Sequence, residues 1–154
     1  MISITEVKRK DLNSRAVDRI CSILIPAFEK ANVGKECNSF EFKHFWLSLL
    51  NGTPPAVLFL LRDEGVIVGI LGGLVFDDPL TGLRYAAKIV WRVAPSHGGL
   101  GWGMKLLQSF EWWAKDHDCD RVVVSGSSNE WIDLQDKVKP LGYVPYQVEF
   151  MKEI

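Results

Sequence analysis

The chain has 154 residues, of which 47% are hydrophobic and 24% are charged, a composition that is typical of a globular protein and excludes a disordered one. Its formal net charge of −1 argues against a general nucleic-acid-binding protein. The longest apolar run, GVIVGILGGLVF, has twelve residues, well short of the ~20 that a membrane-spanning helix needs.

One strand and two helices are predicted for the first third of the chain. The segment ISITEVK alternates apolar and polar residues, as a half-buried strand does. Apolar residues then recur at helical spacing in two stretches, each preceded by a residue that can cap a helix. The two predicted helices run from Asn13 or Ser14 to about Lys30, and from Ser39 to about Leu50.

Strands dominate the middle of the chain. AVLFLL and GVIVGILGGLVF flank the turn RDEG and predict a hairpin. A third strand, LRYAAKIVWRVA, ends at Pro95, which has no amide hydrogen to donate to a neighbouring strand. These strands form the mostly antiparallel part of the predicted sheet.

Helices and strands alternate in the last third. Leucines and aromatic residues recur at helical spacing to about Lys115, and the apolar run RVVVSGS is typical of a strand in a parallel pair. NEWIDLQDKVKPL predicts a short helix, and YVPYQVEFMKEI predicts a last strand. The whole order predicts an α/β fold in one domain, residues 1–154. Its mixed, mostly antiparallel sheet has one central parallel strand pair, from a βαβ unit near residues 83–125, and is flanked by helices.

Cysteines and histidines indicate neither a disulfide framework nor a metal site. The three cysteines are odd in number and include no CxxC pair, and the three histidines are scattered along the chain. The first residues, MISITEVKRK, lack the long apolar run of a signal peptide. We therefore expect no bound metal and a reducing, cytoplasmic setting.

A glycine cluster lies where the third predicted helix should begin. Four of the six residues from Gly98 to Gly103 are glycine, although each glycine destabilises a helix by roughly 1 kcal/mol relative to alanine. The first amides of a helix have no internal partner, and glycines allow several of them to point at one anion. The cluster is therefore either a phosphate-binding loop or a turn at a crowded junction between strand and helix.

Two common phosphate-binding loops do not fit the cluster. A P-loop needs lysine followed by serine or threonine after its last glycine, where this chain has Met104, Lys105 and Leu106. A Rossmann fingerprint begins at Gly99 and Gly101, but Met104 replaces its third glycine and the next strand, RVVVSGS, ends without an acidic residue.

Residues 93–107, VAPSHGGLGWGMKLL, resemble the coenzyme A loop of the GNAT superfamily of N-acetyltransferases. Val93 and Pro95 match the start of that family's motif A, and Gly101 and Gly103 match its paired small residues, before a pair of leucines.

One residue of the loop departs from the family pattern. Gly98 stands where the family usually has arginine or glutamine, which removes a side chain near the pyrophosphate but keeps the backbone donors. PLGY, residues 140–143, is similar to a late Leu-Gly-Phe/Tyr signature of the family. Together with the element order, it extends the resemblance over essentially the whole chain.

The resemblance implies acetyl-CoA as co-substrate, bound in a V-shaped split between Lys88–Ala94 and Arg121–Ser125. It implies that the backbone of Trp91 and Val93 pairs with the pantetheine arm, and that an amide near Trp91 polarises the thioester carbonyl. The other implied coenzyme contacts are Gly98, Gly99, Leu100, Gly101, Trp102, Gly103, Met104 and Asn129. Asn129 could equally be an ordinary helix cap, and the Trp102 side chain is interpreted as packing under the helix.

The usual acid and base are missing at the positions where the resemblance places them. Val138 stands three residues before the leucine of PLGY, where many members have a tyrosine, and LRYAAKIVWRVA contains no carboxylate. The substitute candidates are His97, Asp77 and Tyr143. Each has a structural alternative: His97 could be an exposed loop residue, Asp77 could shape the turn DDPLTG, and Tyr143 could belong to the core. Water could also relay the protons.

The implied function is transfer of an acetyl group to a primary amine of a small molecule or protein by direct attack. The alternative is a non-catalytic acyl-CoA-binding or protein-interaction module on the same fold. The acceptor is expected between the first two helices and the mid-sheet turns, lined by Phe40, Phe42, Trp46 and Trp91 unless these aromatic residues belong to the core. No nucleic acid or membrane is expected as a partner. Homodimers are common among similar proteins, but no feature of the sequence indicates one.

Overall fold

The computed structural model of the chain describes residues 1–31, 37–126 and 131–154. Its strands are β1 (Ile2–Glu6), β2 (Ala56–Asp63), β3 (Val66–Asp77), β4 (Arg84–Val93) and β5 (Arg121–Val123). Its helices are α1 (Ser14–Ala31), α2 (Ser39–Leu49), α3 (Trp102–Asp116) and α4 (Trp131–Val138).

The five strands form one mixed sheet in the order β1-β2-β3-β4-β5. The first four strands pair antiparallel with their neighbours, and β5 pairs parallel with β4, with α3 as the crossover between them. This arrangement confirms the predicted α/β fold with its mostly antiparallel sheet and parallel pair. In the described residues, β5 forms an edge of the sheet.

Two glycines in β3 bring helices close to the sheet on opposite faces. A Cβ atom on Gly72 would lie 2.5 Å from Cη2 of Trp46 in α2, and one on Gly73 would lie 2.5 Å from Cζ of Phe110 in α3. Both aromatic side chains are almost fully buried. The core therefore lies on both sides of β3, with α1 and α2 covering one face and α3 covering the other.

Asparagine side chains cap the first two helices. Asn13 Oδ1 accepts from the amide of Ala16 at 2.9 Å, at the start of α1. Asn38 Oδ1 accepts from the amide of Glu41 at 3.1 Å, so the cap of α2 lies one residue before the predicted Ser39. In both cases the side-chain oxygen satisfies an amide of the first turn, which has no partner within the helix.

The predicted last strand is not formed. Residues 143–154 belong to no strand, and the apolar side chains from Val144 onward are exposed, with Val148 at 78% and Phe150 at 95%. Alternating side chains make a strand only when the backbone pairs with a neighbouring strand, and Pro145 has no amide hydrogen for such pairing. The local sequence of this segment was therefore insufficient to predict a strand.

Candidate functional site

β5 pairs with only the first part of β4. The register between β3 and β4 shifts at Gly72 and Gly73, which leaves Ile89 of β4 without a partner in β3. Such a bulge bends a strand and increases its twist. Beyond Ala87, β4 pairs with no strand residue of β5 in the described chain. Among the described residues, the edge of β4 at Trp91 and Val93 therefore has no strand partner, and we call it the free edge of β4.

The backbone groups of Trp91 and Val93 lie on that free edge. The amide of Ala94 donates to the carbonyl of Val68 in β3 at 2.7 Å. Successive residues of a strand direct their amides and carbonyls to alternate edges, so those of Trp91 and Val93 face away from β3. Their pairing with a pantetheine arm stays a prediction.

An open loop connects β4 to α3. Gly99 and Gly101 have φ angles of 75° and 80°, in the left-handed region that favours glycine. A Cβ atom at either position would meet no described heavy atom within 4 Å. The two glycines therefore allow the loop its conformation and leave open space beside the backbone.

The loop presents a row of amides without partners. Among the described residues, no acceptor lies within hydrogen-bonding distance of the amides from Gly99 to Met104. Gly101 is the N-terminal cap of α3 and has no side chain to satisfy them, and the first turn of α3 contains no acidic residue. These amides and the positive end of the helix dipole form an anion-binding surface of the kind that holds phosphate groups.

Two side chains near the start of α3 have distinct roles. The indole of Trp102 is half-buried and packs against the core, which confirms the predicted packing. Lys105 is exposed, and its ammonium nitrogen lies 4.5 Å from the centre of the Trp102 ring. This cation–π contact holds a positive charge beside the first turn, a role that sequence reasoning did not assign to Lys105.

The indole of Trp91 supports the end of the loop. Its Nε1 donates to the carbonyl of Gly103 at 3.1 Å. A Cβ atom on Gly103 would lie 3.6 Å from that nitrogen and 3.7 Å from Cγ2 of Val93. Side chains of β4 therefore pack directly beneath the first turn of α3, and a Cβ at position 103 would make ordinary van der Waals contact with them.

His97, a candidate base, is held between two partners. Its Nε2 lies 2.9 Å from Oδ2 of Asp63, and its Nδ1 lies 2.8 Å from Oγ of Ser96. The side chain is only 17% exposed, so the alternative of an exposed loop histidine is wrong. Because both ring nitrogens have partners within the protein, direct proton transfer from an amine to His97 would require one of these contacts to break, which disfavours a role as base.

Asp77 and its neighbour Asp78 shape the turn after β3. Asp77 Oδ1 accepts from Nε of Arg84 at 2.9 Å, and this hydrogen bond holds the pKa of Asp77 below its ordinary value. Asp78 Oδ1 accepts from the amide of Leu80 at 2.8 Å, which lowers the pKa of Asp78. Carboxylates with lowered pKa values are weak bases, so the structure favours the structural role for both.

Tyr143, the candidate acid, is directed into the protein. Its hydroxyl is buried and has no hydrogen-bond partner among the described residues. Burial first, and then the negative charge of Glu111, raise the pKa of Tyr143 above its ordinary value. Its packing against the core favours a core residue over an acid.

The aromatic residues predicted around the acceptor divide into core and surface. Trp46 is 1% exposed and belongs to the core, so its placement in an acceptor site is wrong. Phe40 is 72% exposed and stacks on His44, with ring centres 6.3 Å apart, beside a cavity of 370 Å³ between α1 and α2. The aromatic stripe on α2 therefore includes both a core residue and a solvent-facing residue.

Three remaining predictions concern Asn129, a metal site and a membrane-spanning helix. Asn129 lies outside the described residues. Within residues 1–31, 37–126 and 131–154, no group of three or more His, Cys, Asp or Glu side chains could hold a metal ion. The same residues include no helix that is both long and apolar enough to cross a bilayer.

Solved structures with this fold span nearly all of the chain. An aminoglycoside acetyltransferase from an uncultured soil metagenomic sample has a TM-score of 0.75 and 19% identity, covering 99% of this chain and 96% of that one. A predicted acetyltransferase with acetyl-CoA from Clostridium acetobutylicum has a TM-score of 0.76 and 17% identity, with the same coverage of 99% and 96%. Glucosamine-6-phosphate N-acetyltransferase from Arabidopsis thaliana has a TM-score of 0.71 and 13% identity, covering 99% and 98%.

Sequence comparison adds the family. No curated protein matches the chain. Residues 17–131 match the sequence profile described as "Acetyltransferase (GNAT) family". This match includes the strand, loop and helix that form the candidate site. The chain therefore belongs to the GNAT acetyltransferase family.

Proposed function

We propose that this protein transfers the acetyl group of acetyl-CoA to a primary amine of a small-molecule or protein acceptor. The observation that carries the proposal is the continuity of two surfaces: the amides from Gly99 to Met104, which have no hydrogen-bond partner among the described residues, follow the free edge of β4 at Trp91 and Val93. In coenzyme A an amide-bearing pantetheine arm extends from a pyrophosphate, so these two adjoining parts complement the two surfaces.

In the proposed reaction the amine nitrogen attacks the thioester carbonyl carbon, the carbon–sulfur bond breaks, and coenzyme A leaves as a thiol. The backbone amide of Trp91 or a neighbour would donate to the carbonyl oxygen as negative charge develops there. Because His97, Asp77 and Tyr143 are engaged or buried, we assign the proton transfers to water. Catalysis would then depend mainly on positioning and on polarisation of the carbonyl.

The same three side chains also favour the alternative of a non-catalytic acyl-CoA-binding or protein-interaction module. The two functions differ in whether an amine releases the coenzyme A thiol. We expect at least one member of an amine panel of aminoglycosides, polyamines, amino acids and lysine peptides to accelerate thiol release from acetyl-CoA above the rate without amine. Binding of acetyl-CoA with no acceleration by any amine would support the module.

We also propose that the acetyltransferase unit comprises residues 1–154 and works in a reducing, cytoplasmic compartment. The core draws on residues from Val7 to Val138, which supports a single unit. Cys21, Cys37 and Cys119 are free thiols, and thiols persist in a reducing compartment.

Restoring the side chain that the family usually has at position 98 should strengthen coenzyme A binding. Gly98 has φ −68° and ψ 152°, which any residue adopts, and the nearest atom to an added Cβ is 3.5 Å away. An arginine could therefore reach a phosphate without distorting the loop. For Gly98→Arg we expect the Kd of CoA in calorimetry to fall by about three- to tenfold, since a charged hydrogen bond contributes about 1 kcal/mol or more. Gly98→Ala is the matched control and should leave the Kd unchanged; equal affinity of the two variants would contradict the placement of the pyrophosphate.

Removing the hydroxyl of Tyr143 should leave acetyl transfer intact. The buried oxygen makes no well-formed hydrogen bond to a described residue, although the Glu111 carboxylate lies near it, so Tyr143→Phe removes a poorly satisfied polar group. We expect the free energy of unfolding to stay equal or to rise by about 1 kcal/mol, measured in urea. The rate of thiol release with the best amine should stay within about twofold, whereas general acid catalysis would contribute at least about a hundredfold. A large loss of rate with unchanged stability would establish Tyr143 as the acid.

A further inference from the structure

The start of the glycine loop is tied to a distant hairpin. His97 ends a short helical turn, Pro95–His97, immediately before Gly98. Its Nε2 lies 2.9 Å from Oδ2 of Asp63, the last residue of β2, although the two residues are 34 positions apart. The His97 and Asp63 side chains are 17% and 35% exposed, so water only partly screens the contact.

A second contact fixes the imidazole on its other side. Oγ of Ser96 lies 2.8 Å from Nδ1 of His97. With both nitrogens engaged, the ring has one defined orientation, and the backbone that carries it is held against the β2–β3 hairpin. The amide of Ala94, which donates to Val68 in β3 at 2.7 Å, attaches the same segment to the same hairpin.

Beyond His97 the loop has few restraints until α3 begins. The Gly98 amide donates to the carbonyl of Pro95 at 3.2 Å, within the turn itself. At Gly99 and Gly101 an added Cβ would contact no described atom within 4 Å. The next side-chain hydrogen bond to the loop is the one from the Trp91 indole to Gly103. The Asp63–His97 contact is therefore the side-chain anchor at the loop's entrance.

We propose that Asp63 and His97 are positioning residues, which fix the loop so that its amides converge on the pyrophosphate of coenzyme A. The inference rests on the proposed function, because it concerns the same coenzyme site. A loop that is already ordered loses less conformational entropy when it binds its ligand, so the anchor raises affinity without touching the ligand. It also gives His97 a role other than that of a catalytic base.

The charge of Asp63 makes the proposal sharply testable. A carboxylate near an anion-binding loop repels the anion, so removing its charge would strengthen coenzyme A binding if charge were the whole effect. If the carboxylate positions His97, removing it weakens binding. The sign of the change in Kd for Asp63→Asn therefore separates the two effects.

The experiment is calorimetric titration of CoA into the natural chain and into Asp63→Asn, His97→Gln and the double variant. We expect each single variant to raise the Kd by about five- to tenfold. The double variant should raise it no more than the larger single effect, as for residues that act through one contact. The matched control is Asp116→Asn, which makes the same charge change at the exposed far end of α3 and should leave the Kd within about twofold.

Acetyl-pantetheine, which lacks the pyrophosphate and nucleotide, separates positioning from general damage to the fold. Its affinity, measured by NMR titration, should be unchanged in Asp63→Asn and His97→Gln, because its contacts lie on β4 and not on the loop. An unchanged or lower Kd for CoA in Asp63→Asn would overturn the proposal, as would equal losses for CoA and acetyl-pantetheine or additive effects in the double variant. If Asp63→Asn does not fold, the same comparison is made on His97→Gln alone. Failure of the natural chain to bind CoA is a separate result and would overturn the proposed function itself.

Discussion

Replacing Gly101 with glutamate should abolish coenzyme A binding in a protein that remains folded. Gly101 has a φ of 80°, and an added Cβ would project into open space beside the unpartnered amides of the loop. The new carboxylate would occupy the position of the pyrophosphate and repel it, and like charges in contact cost several kcal/mol. We expect the Kd of CoA, measured by calorimetry, to rise by at least about a hundredfold.

The matched control for this variant is Gly82→Glu. Gly82 lies in the turn between β3 and β4 with a φ of 71°, and an added Cβ there also meets no described atom within 4 Å. Both substitutions add one negative charge and the same left-handed strain, about 1–2 kcal/mol. We therefore expect similar losses of Tm but a loss of CoA binding only for Gly101→Glu. Retained binding in Gly101→Glu, or equal loss in both variants, would contradict the role of the loop.

A large loss of stability is expected for Gly72→Ala. The added Cβ would lie 2.5 Å from Cη2 of Trp46 and 2.8 Å from Cδ1 of Leu58. Both neighbours are almost fully buried, so neither can move outward into solvent without disturbing the core. Overpacking of this kind costs about 1–3 kcal/mol, and we expect the upper end of that range. Urea unfolding measures the loss directly.

A double variant tests the cause of this loss. Trp46→Phe removes the outer ring atoms that the new methyl group would meet, so the double variant Gly72→Ala/Trp46→Phe should lose less stability than the two single losses added together. Gly98→Ala is the control for the glycine-to-alanine change, because its surroundings are open and its φ is ordinary. Additive losses in the double variant would show that the Trp46 ring does not limit the space beside Gly72.

Local sequence patterns predicted the elements around the candidate site because the local chain determines them. Pro95 ends β4, the glycines allow left-handed backbone, and the leucines after Gly103 follow helical spacing. These features require no knowledge of distant residues. The same reasoning failed for residues 143–154, because a strand also requires a pairing partner that alternation does not supply.

Local sequence patterns could not predict the contacts between distant segments of the chain. The spacing of aromatic residues on α2 predicted that they share a face of the helix. The structure shows that the Trp46 ring packs against Gly72 in the core, whereas Phe40 is exposed to solvent. Asp63 lies in the turn RDEG, and no local signal connects it with His97.

The sequence identified candidate acids and bases by residue type, but it could not show whether they are available for catalysis. The sequence identified Asp77 as a titratable residue near the expected site, but its availability depends on its partner. The hydrogen bond from Arg84 engages Asp77 and lowers its pKa, and the cross-strand pairing of β3 with β4 brings these two residues together. Whether a titratable residue of this protein can act as acid or base therefore depends on its tertiary contacts, and not on its residue type alone.

The most direct test of the central claim is a calorimetric titration of the natural chain with acetyl-CoA. The unpartnered amides of the loop and the free edge of β4 predict saturable binding of one acetyl-CoA per chain. An affinity that falls as salt is added would agree with recognition of the phosphates by the loop. Absence of any binding at millimolar acetyl-CoA would contradict the account.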